Sequence, residues 1–146
     1  MRAFEDFTVG LTIVHGSRTV TRSDIIAFAA EFDPQPFHLD EAAPETGLTG
    51  GLIASGWHIA AIFMRLLTDS LLLDSTCLGS PGVETLKWAK PLRPGDTLSG
   101  RSTVTAARPS QSRPDRGIVS FRHEALNQTG DVVMWMDNAI LFGLRR

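Results

Sequence analysis

The chain has 146 residues, 42% of them hydrophobic and 21% charged, a size and balance that fit one globular domain spanning 1–146 and leave little room for two. Fourteen Lys and Arg stand against sixteen Asp and Glu for a net charge of −2, and the basic residues are scattered, so a nucleic-acid footprint is missing. The single cysteine, Cys77, excludes an internal disulfide framework and any cysteine-rich metal site, agrees with a reducing cytoplasm, and reads as a small buried hydrophobe.

The opening residues MRAFEDFTVG carry acids where a signal peptide needs positive charge and an apolar run, so export is not expected. Residues 8–20 are rich in β-branched side chains with a break at His15-Gly16-Ser17, which predicts an opening strand or hairpin. Thr21 followed by Asp24 is a capping pair, and Ile25, Ile26, Phe28, Ala29 and Phe32 follow at helical spacing, predicting a short helix that ends before Pro34. The next stretch, PQPFHLDEAAPETGLTGGLIASG, is rich in proline and glycine and reads as a long loop around one helical turn at Asp40 to Ala43. Long loops inside compact domains are often functional.

From Trp57 the apolar positions Ile59, Ile62, Phe63, Leu66, Leu67 and Leu71 recur at steps of three and four, predicting a helix that is apolar nearly all round and central. The apolar stretch Leu52 to Leu73 is interrupted by His58, Arg65 and Asp69, so it reads as a buried helix and not a membrane span. After Gly79-Ser80-Pro81-Gly82 the pattern changes to four strands, about 83–90, 97–108, 116–127 and 131–143, with turns at PLRPGDTL and NQTGD. In the last strand Val132, Met134, Met136, Ile140 and Phe142 share one face and Val133, Trp135, Ala139 and Leu141 the other; one helix cannot cover both, which points to a partner subunit. The class expected is α+β, a run of antiparallel strands with the long helix lying across them.

Chemistry concentrates at Asp33-Pro34-Gln35-Pro36-Phe37-His38. A carboxylate and an imidazole five residues apart, with two prolines stiffening the chain between them, can polarise one water and manage its protons. Equally, Asp33 can simply end a helix and His38 be a partly buried loop histidine; spacing does not separate the two readings. His58 reads as a structural helix residue, and His15 and His123 as strand or turn residues without a partner motif. Asp40, Glu41 and Glu45 read as a solvated face, and no His or Cys cluster has metal-ligand spacing.

The segment FDPQPFHLDEAA, followed by TGGLIASGW, an apolar helix and later PLRPGDTL before a strand pair, resembles the MaoC-like dehydratases, also called R-specific enoyl-CoA hydratases. Their signature runs Asp, any residue, Asn, Pro, an apolar residue, His; here Asp33, Pro34, Gln35, Pro36, Phe37 and His38 occupy those places, with Gln35 departing from the usual Asn. The resemblance implies a single hotdog fold, a curved antiparallel sheet wrapped around a long central helix, in a cytoplasmic homodimer or dimer-built oligomer serving fatty acid metabolism. It implies that Asp33 and His38 are the catalytic pair for adding water to a trans-2-enoyl-CoA, giving the (R)-3-hydroxyacyl-CoA, or for the reverse. No metal or cofactor is implied beyond the coenzyme A of the substrate. Ser55 and Gly56, at the start of the central helix, are placed to turn backbone N–H toward the thioester oxygen. Two other readings keep the same fold: a non-catalytic acyl-CoA-binding or heteromeric partner subunit, and a hotdog thioesterase. The second of these usually needs an acid on the central helix, and Trp57 to Leu67 contains none.

Overall fold

In a computed structural model, which describes residues 1–146, the β-branched opening run forms one strand, β1 (Thr12–Thr19), and not a hairpin. Its glycine break is a bulge between His15 and Ser17 in the pairing with β4 (Thr97–Pro109). Helix α1 (Arg22–Phe32) starts at Thr21, whose hydroxyl accepts the Asp24 N–H at 3.1 Å while the Asp24 carboxylate accepts the Thr21 N–H at 3.1 Å. This reciprocal cap is the one that Thr21 and Asp24 predict. The helix stops at Phe32 because Pro34 keeps Asp33 out of helical geometry.

The stretch that follows departs from expectation. Asp40 to Ala43 is not helical; two short helices flank it, α2 (Pro36–Leu39) and α3 (Pro44–Leu48). Each opens on a proline, whose fixed φ suits the first helical position and whose missing N–H would have had no partner there. Between them the Asp40 carboxylate takes the Ala42 N–H at 2.9 Å, a local turn that competes with helix.

Helix α4 (Gly56–Ser70) buries Ile59, Ile62, Phe63, Leu66 and Leu67 against the sheet, as their spacing predicts. The remaining strands are β2 (Cys77–Gly79), β3 (Val83–Trp88), β4, β5 (Arg116–Leu126) and β6 (Val132–Gly143). All pairings are antiparallel, in the order β1-β4-β5-β6-β2, with β3 also on β6. Strand β2 was not expected, and it corrects the reading of Cys77, which lies half-buried on this short edge strand rather than in the core. In β6, Met134, Ile140 and Phe142 are buried in the core, and Trp135, Ala139 and Leu141 on the opposite face are half-buried. Val133, expected with the second set, is instead fully buried in the core, where a break in the β5–β6 register between Val132 and Met134 interrupts the alternation. The expected α+β arrangement is therefore present, one antiparallel sheet packed on one long helix.

His15 and His123 lie in strands, as expected, and have hydrogen-bond partners that no sequence motif marks. His15 Nδ1 lies 2.5 Å from Ser70 Oγ and its Nε2 2.6 Å from Ser102 Oγ. Ser102 Oγ is 2.7 Å from His123 Nδ1, and His123 Nε2 is 2.7 Å from Asn138 Oδ1. One residue from each of β1, β4, β5 and β6 thus joins a buried polar row under α4. Burial pushes both histidines down to about 4, so both are neutral near pH 7. His58 has the structural role expected of it, buried in α4 and stacked on the Phe28 ring at 4.6 Å.

Candidate active site

Asp33 and His38 are brought together by the turn that Pro34 and Pro36 stiffen. The ring of His38, buried on α2, points Nδ1 at the Ile53 carbonyl oxygen at 2.7 Å. A carbonyl can only accept, so Nδ1 carries a proton and Nε2 is the position left for chemistry. Nε2 stands 3.3 Å from Asp33 Oδ2, a spacing at which one water can touch both atoms.

The Asp33 carboxylate is held from three sides. Ser55 Oγ donates to Oδ2 at 2.7 Å and Gln35 Nε2 donates to Oδ1 at 2.6 Å. The Ser55 hydroxyl above all holds the Asp33 carboxyl below the usual carboxylate range; burial, the next influence, opposes it, and the Gln35 amide and the facing His38 ring add to the lowering. Gln35, the departure from the family signature, therefore still delivers an amide N–H to the carboxylate. Asp40 and Glu45 take no part in this cluster, and Glu41 is paired with Arg22 on the surface at 2.6 Å.

Ser55 and Gly56 also lie where expected, at the start of α4, but by a different division of labour. Ser55 is the N-cap residue and fully buried, yet its side chain turns to Asp33 instead of capping the helix. Only the N–H groups of His58 and Ile59 reach its carbonyl, at 3.0 and 3.1 Å, while those of Ser55, Gly56 and Trp57 have no acceptor within the chain. Free N–H groups at the positive end of a helix are a site for a developing negative charge. Gly56 is required there for a packing reason too: a Cβ would fall 2.4 Å from the Trp88 indole. A cavity of about 420 Å³ is lined by His38, Ile53, Gly56, Trp88 and Lys90, so His38 and Gly56 border one space, while Trp57 lines a neighbouring cavity. A larger cavity of about 670 Å³, where Met1, Thr76, Cys77 and Arg145 meet, contains neither member of the pair.

The hydroxyl of Ser55 was missed by sequence reasoning, which looked only at its backbone. A serine immediately before a helix is ordinarily read as its cap, so no local signal marks its attachment to Asp33.

Comparisons with known proteins bear on the family and the fold. The MaoC-like domain family matches residues 7–124. A crystal structure of a MaoC-like dehydratase from Rhodospirillum rubrum superposes with a TM-score of 0.92 at 48% identity, covering 100% of this chain and 99% of that one. The (R)-specific enoyl-CoA hydratase of Rhodospirillum rubrum is 31% identical over 124 residues, 82% of this chain and 77% of its own. Mesaconyl-CoA hydratase of Cereibacter sphaeroides is 31% identical over 137 residues, 91% of this chain; the match spans only 38% of that longer protein.

Proposed function

The chain belongs to the MaoC-like dehydratase family with a hotdog fold, and from that premise we propose that it hydrates a trans-2-enoyl-CoA to the (R)-3-hydroxyacyl-CoA or catalyses the reverse dehydration. One observation carries the reading: Asp33 Oδ2 and His38 Nε2 stand 3.3 Å apart, and His38 and Gly56, whose N–H is unpaired, line one cavity.

Water adds to C3 of a conjugated thioester only if the charge that collects on the thioester oxygen is stabilised. The N–H groups of Ser55 and Gly56, at the start of α4, supply that stabilisation without a metal. The water oxygen bonds C3 while a proton passes to His38 Nε2; the ionised Asp33 orients the water and stabilises the imidazolium, which returns a proton to C2. Since the water is held on one side of the enoyl plane, a single alcohol configuration results, and the family resemblance makes it R. Coenzyme A enters as part of the substrate and no other cofactor is required, in the cytoplasmic setting the composition suggests.

The reading includes a homodimer or dimer-built oligomer. Trp57, Met64, Val83 and Trp88 leave large apolar surface exposed on α4 and β3, and β3 is paired only with β6, so an apolar face adjoins an open edge. Sedimentation at micromolar concentration tests this; a stable monomer overturns it.

Crotonyl-CoA decides the reaction. Loss of conjugated enoyl absorbance with formation of the R alcohol is expected. Release of free thiol identifies a thioesterase instead, binding without turnover identifies a non-catalytic subunit, and the S alcohol overturns the site.

A further inference from the structure

A second cavity, of about 390 Å³, begins beside the proposed thioester site and follows α4, lined by Trp57, Ala60, Met64 and Leu67 on the helix and by Asn138 and Ser80 among the sheet and loop residues. Trp57 directly follows Gly56, and its ring meets that of Trp88 edge-on at 5.1 Å; Trp57 lines this cavity and Trp88 the other, so the pair stands between the two. From Trp57 to Leu67 the helix rises roughly 15 Å, a length suited to the tail of an acyl group.

The polar side chains in its lining are Asn138 and Ser80, and the Ser80 hydroxyl is already engaged with the Gly82 and Ala139 carbonyls at 3.0 and 2.5 Å. Asn138 is 9% exposed and ends the buried row of His15, Ser102 and His123. Its Oδ1 is 2.7 Å from His123 Nε2, and its Nδ2 reaches only Ser80 Oγ, at 3.4 Å. An amide offers two N–H donors and two acceptor sites, so capacity is left over toward the cavity. An all-carbon tail would cover that amide without pairing it, which is the costly case for a buried polar group.

Resting on the reading of the thioester site above, we propose that Asn138 is a specificity residue which selects acyl tails carrying a neutral hydrogen-bonding oxygen, a hydroxyl above all, over all-carbon tails. The hydroxyl follows from the row itself. Ser70 gives its hydrogen to the Leu66 carbonyl at 2.7 Å, so His15 donates from Nδ1, Ser102 donates to His15 Nε2, and His123 donates from Nδ1 to Ser102. His123 Nε2 is then an acceptor, which calls for the amide turned so that its N–H meets the ring and its oxygen takes the outer position. A hydroxyl donates to that oxygen. No Lys or Arg lines the cavity, so a carboxylate tail has no counter-charge there.

The test compares trans-2-octenoyl-CoA with its 6-, 7- and 8-hydroxy derivatives. At least one hydroxylated substrate is expected to exceed the parent about tenfold in kcat/KM, the loss of one good hydrogen bond being worth on the order of that factor, and Asn138→Leu is expected to reverse the order. A parent that outperforms every derivative in the wild type overturns the proposal, whether or not Asn138→Leu folds. Crotonyl-CoA turned over by the wild type without any hydroxyl preference refutes this inference alone. Should no thioester be turned over, calorimetric binding of octanoyl-CoA and its hydroxylated analogues still decides: the same preference supports a polar-tail site, and equal affinities overturn it.

Discussion

Two histidine clusters lie in this domain, and they differ in what surrounds them. His38 meets a carboxylate and a cavity: its Nδ1 is tied to a carbonyl and its Nε2 faces Asp33. His15 and His123 meet only serine hydroxyls and an amide, in a row where each ring nitrogen has a partner. Both clusters are buried and hydrogen-bonded, so neither property identifies chemistry. What distinguishes them is a fixed negative charge beside a ring nitrogen that has no neutral partner. A satisfied row stiffens the sheet, whereas a nitrogen left to a carboxylate across 3.3 Å is available to carry a proton.

The sharpest way to break this contrast is to remove the function of the charged cluster while keeping its shape. Asp33→Asn and His38→Gln are each expected to lower kcat by ~10²–10⁴, roughly 3–5 kcal/mol of transition-state stabilisation. The double variant should be little worse than the worse single, since the two act on one water. Melting temperature and acyl-CoA binding should change little. A kcat within threefold of wild type, in protein shown to be folded, would remove the catalytic assignment and leave Asp33 and His38 as loop-shaping residues.

A smaller effect is expected from Ser55→Ala. The hydroxyl is the largest of the influences that lower the Asp33 carboxyl, so its loss raises that carboxyl toward its ordinary value. Activity that requires the carboxylate then fails at a higher pH: the acidic limb of kcat/KM moves upward, and kcat falls by about tenfold, the scale of one charge-assisted hydrogen bond. Lower stability with an unmoved acidic limb would show that Ser55 only packs.

These clusters differ just as much in how legible they are. Asp33 and His38 lie on one stretch of chain with prolines between them, and Thr21 with Asp24 marks the helix that delivers them, so local pattern reaches both. The four strands β3 to β6 lie within two residues of the ranges read from the sequence, because a strand pattern sustained over six or more residues is a strong signal. The polar row takes one residue from each of four strands and a fifth from α4; nothing in the spacing of His15, Ser70, Ser102, His123 and Asn138 reveals that they are neighbours until the register is known. Strand β2 and helices α2 and α3 span three to five residues, too short for periodicity to develop. Ser55 is a third case: its position was legible and its partner was not, since the bond to Asp33 closes over 22 residues.

The mildest test takes the neutral row. Burial holds His15 and His123 at about 4 in the folded chain, against about 6.5 when unfolded. Between those values the unfolded chain binds protons that the folded chain refuses, so stability is full above about pH 6.5 and is lost as pH falls toward 4. From about pH 7 to about pH 5.5 each histidine should cost about 1 kcal/mol of unfolding free energy. His58, lowered chiefly by burial, acts in the same sense. His15→Gln keeps a donor and an acceptor between Ser70 and Ser102 but cannot titrate. Whatever it does to stability at pH 7, its further loss on acidification should be smaller than that of the wild type by about 1 kcal/mol, measured by urea unfolding at the two pH values. Equal losses in the two proteins would mean that His15 accepts a proton in the folded state, and that the row is not the neutral counterpart of the Asp33–His38 cluster.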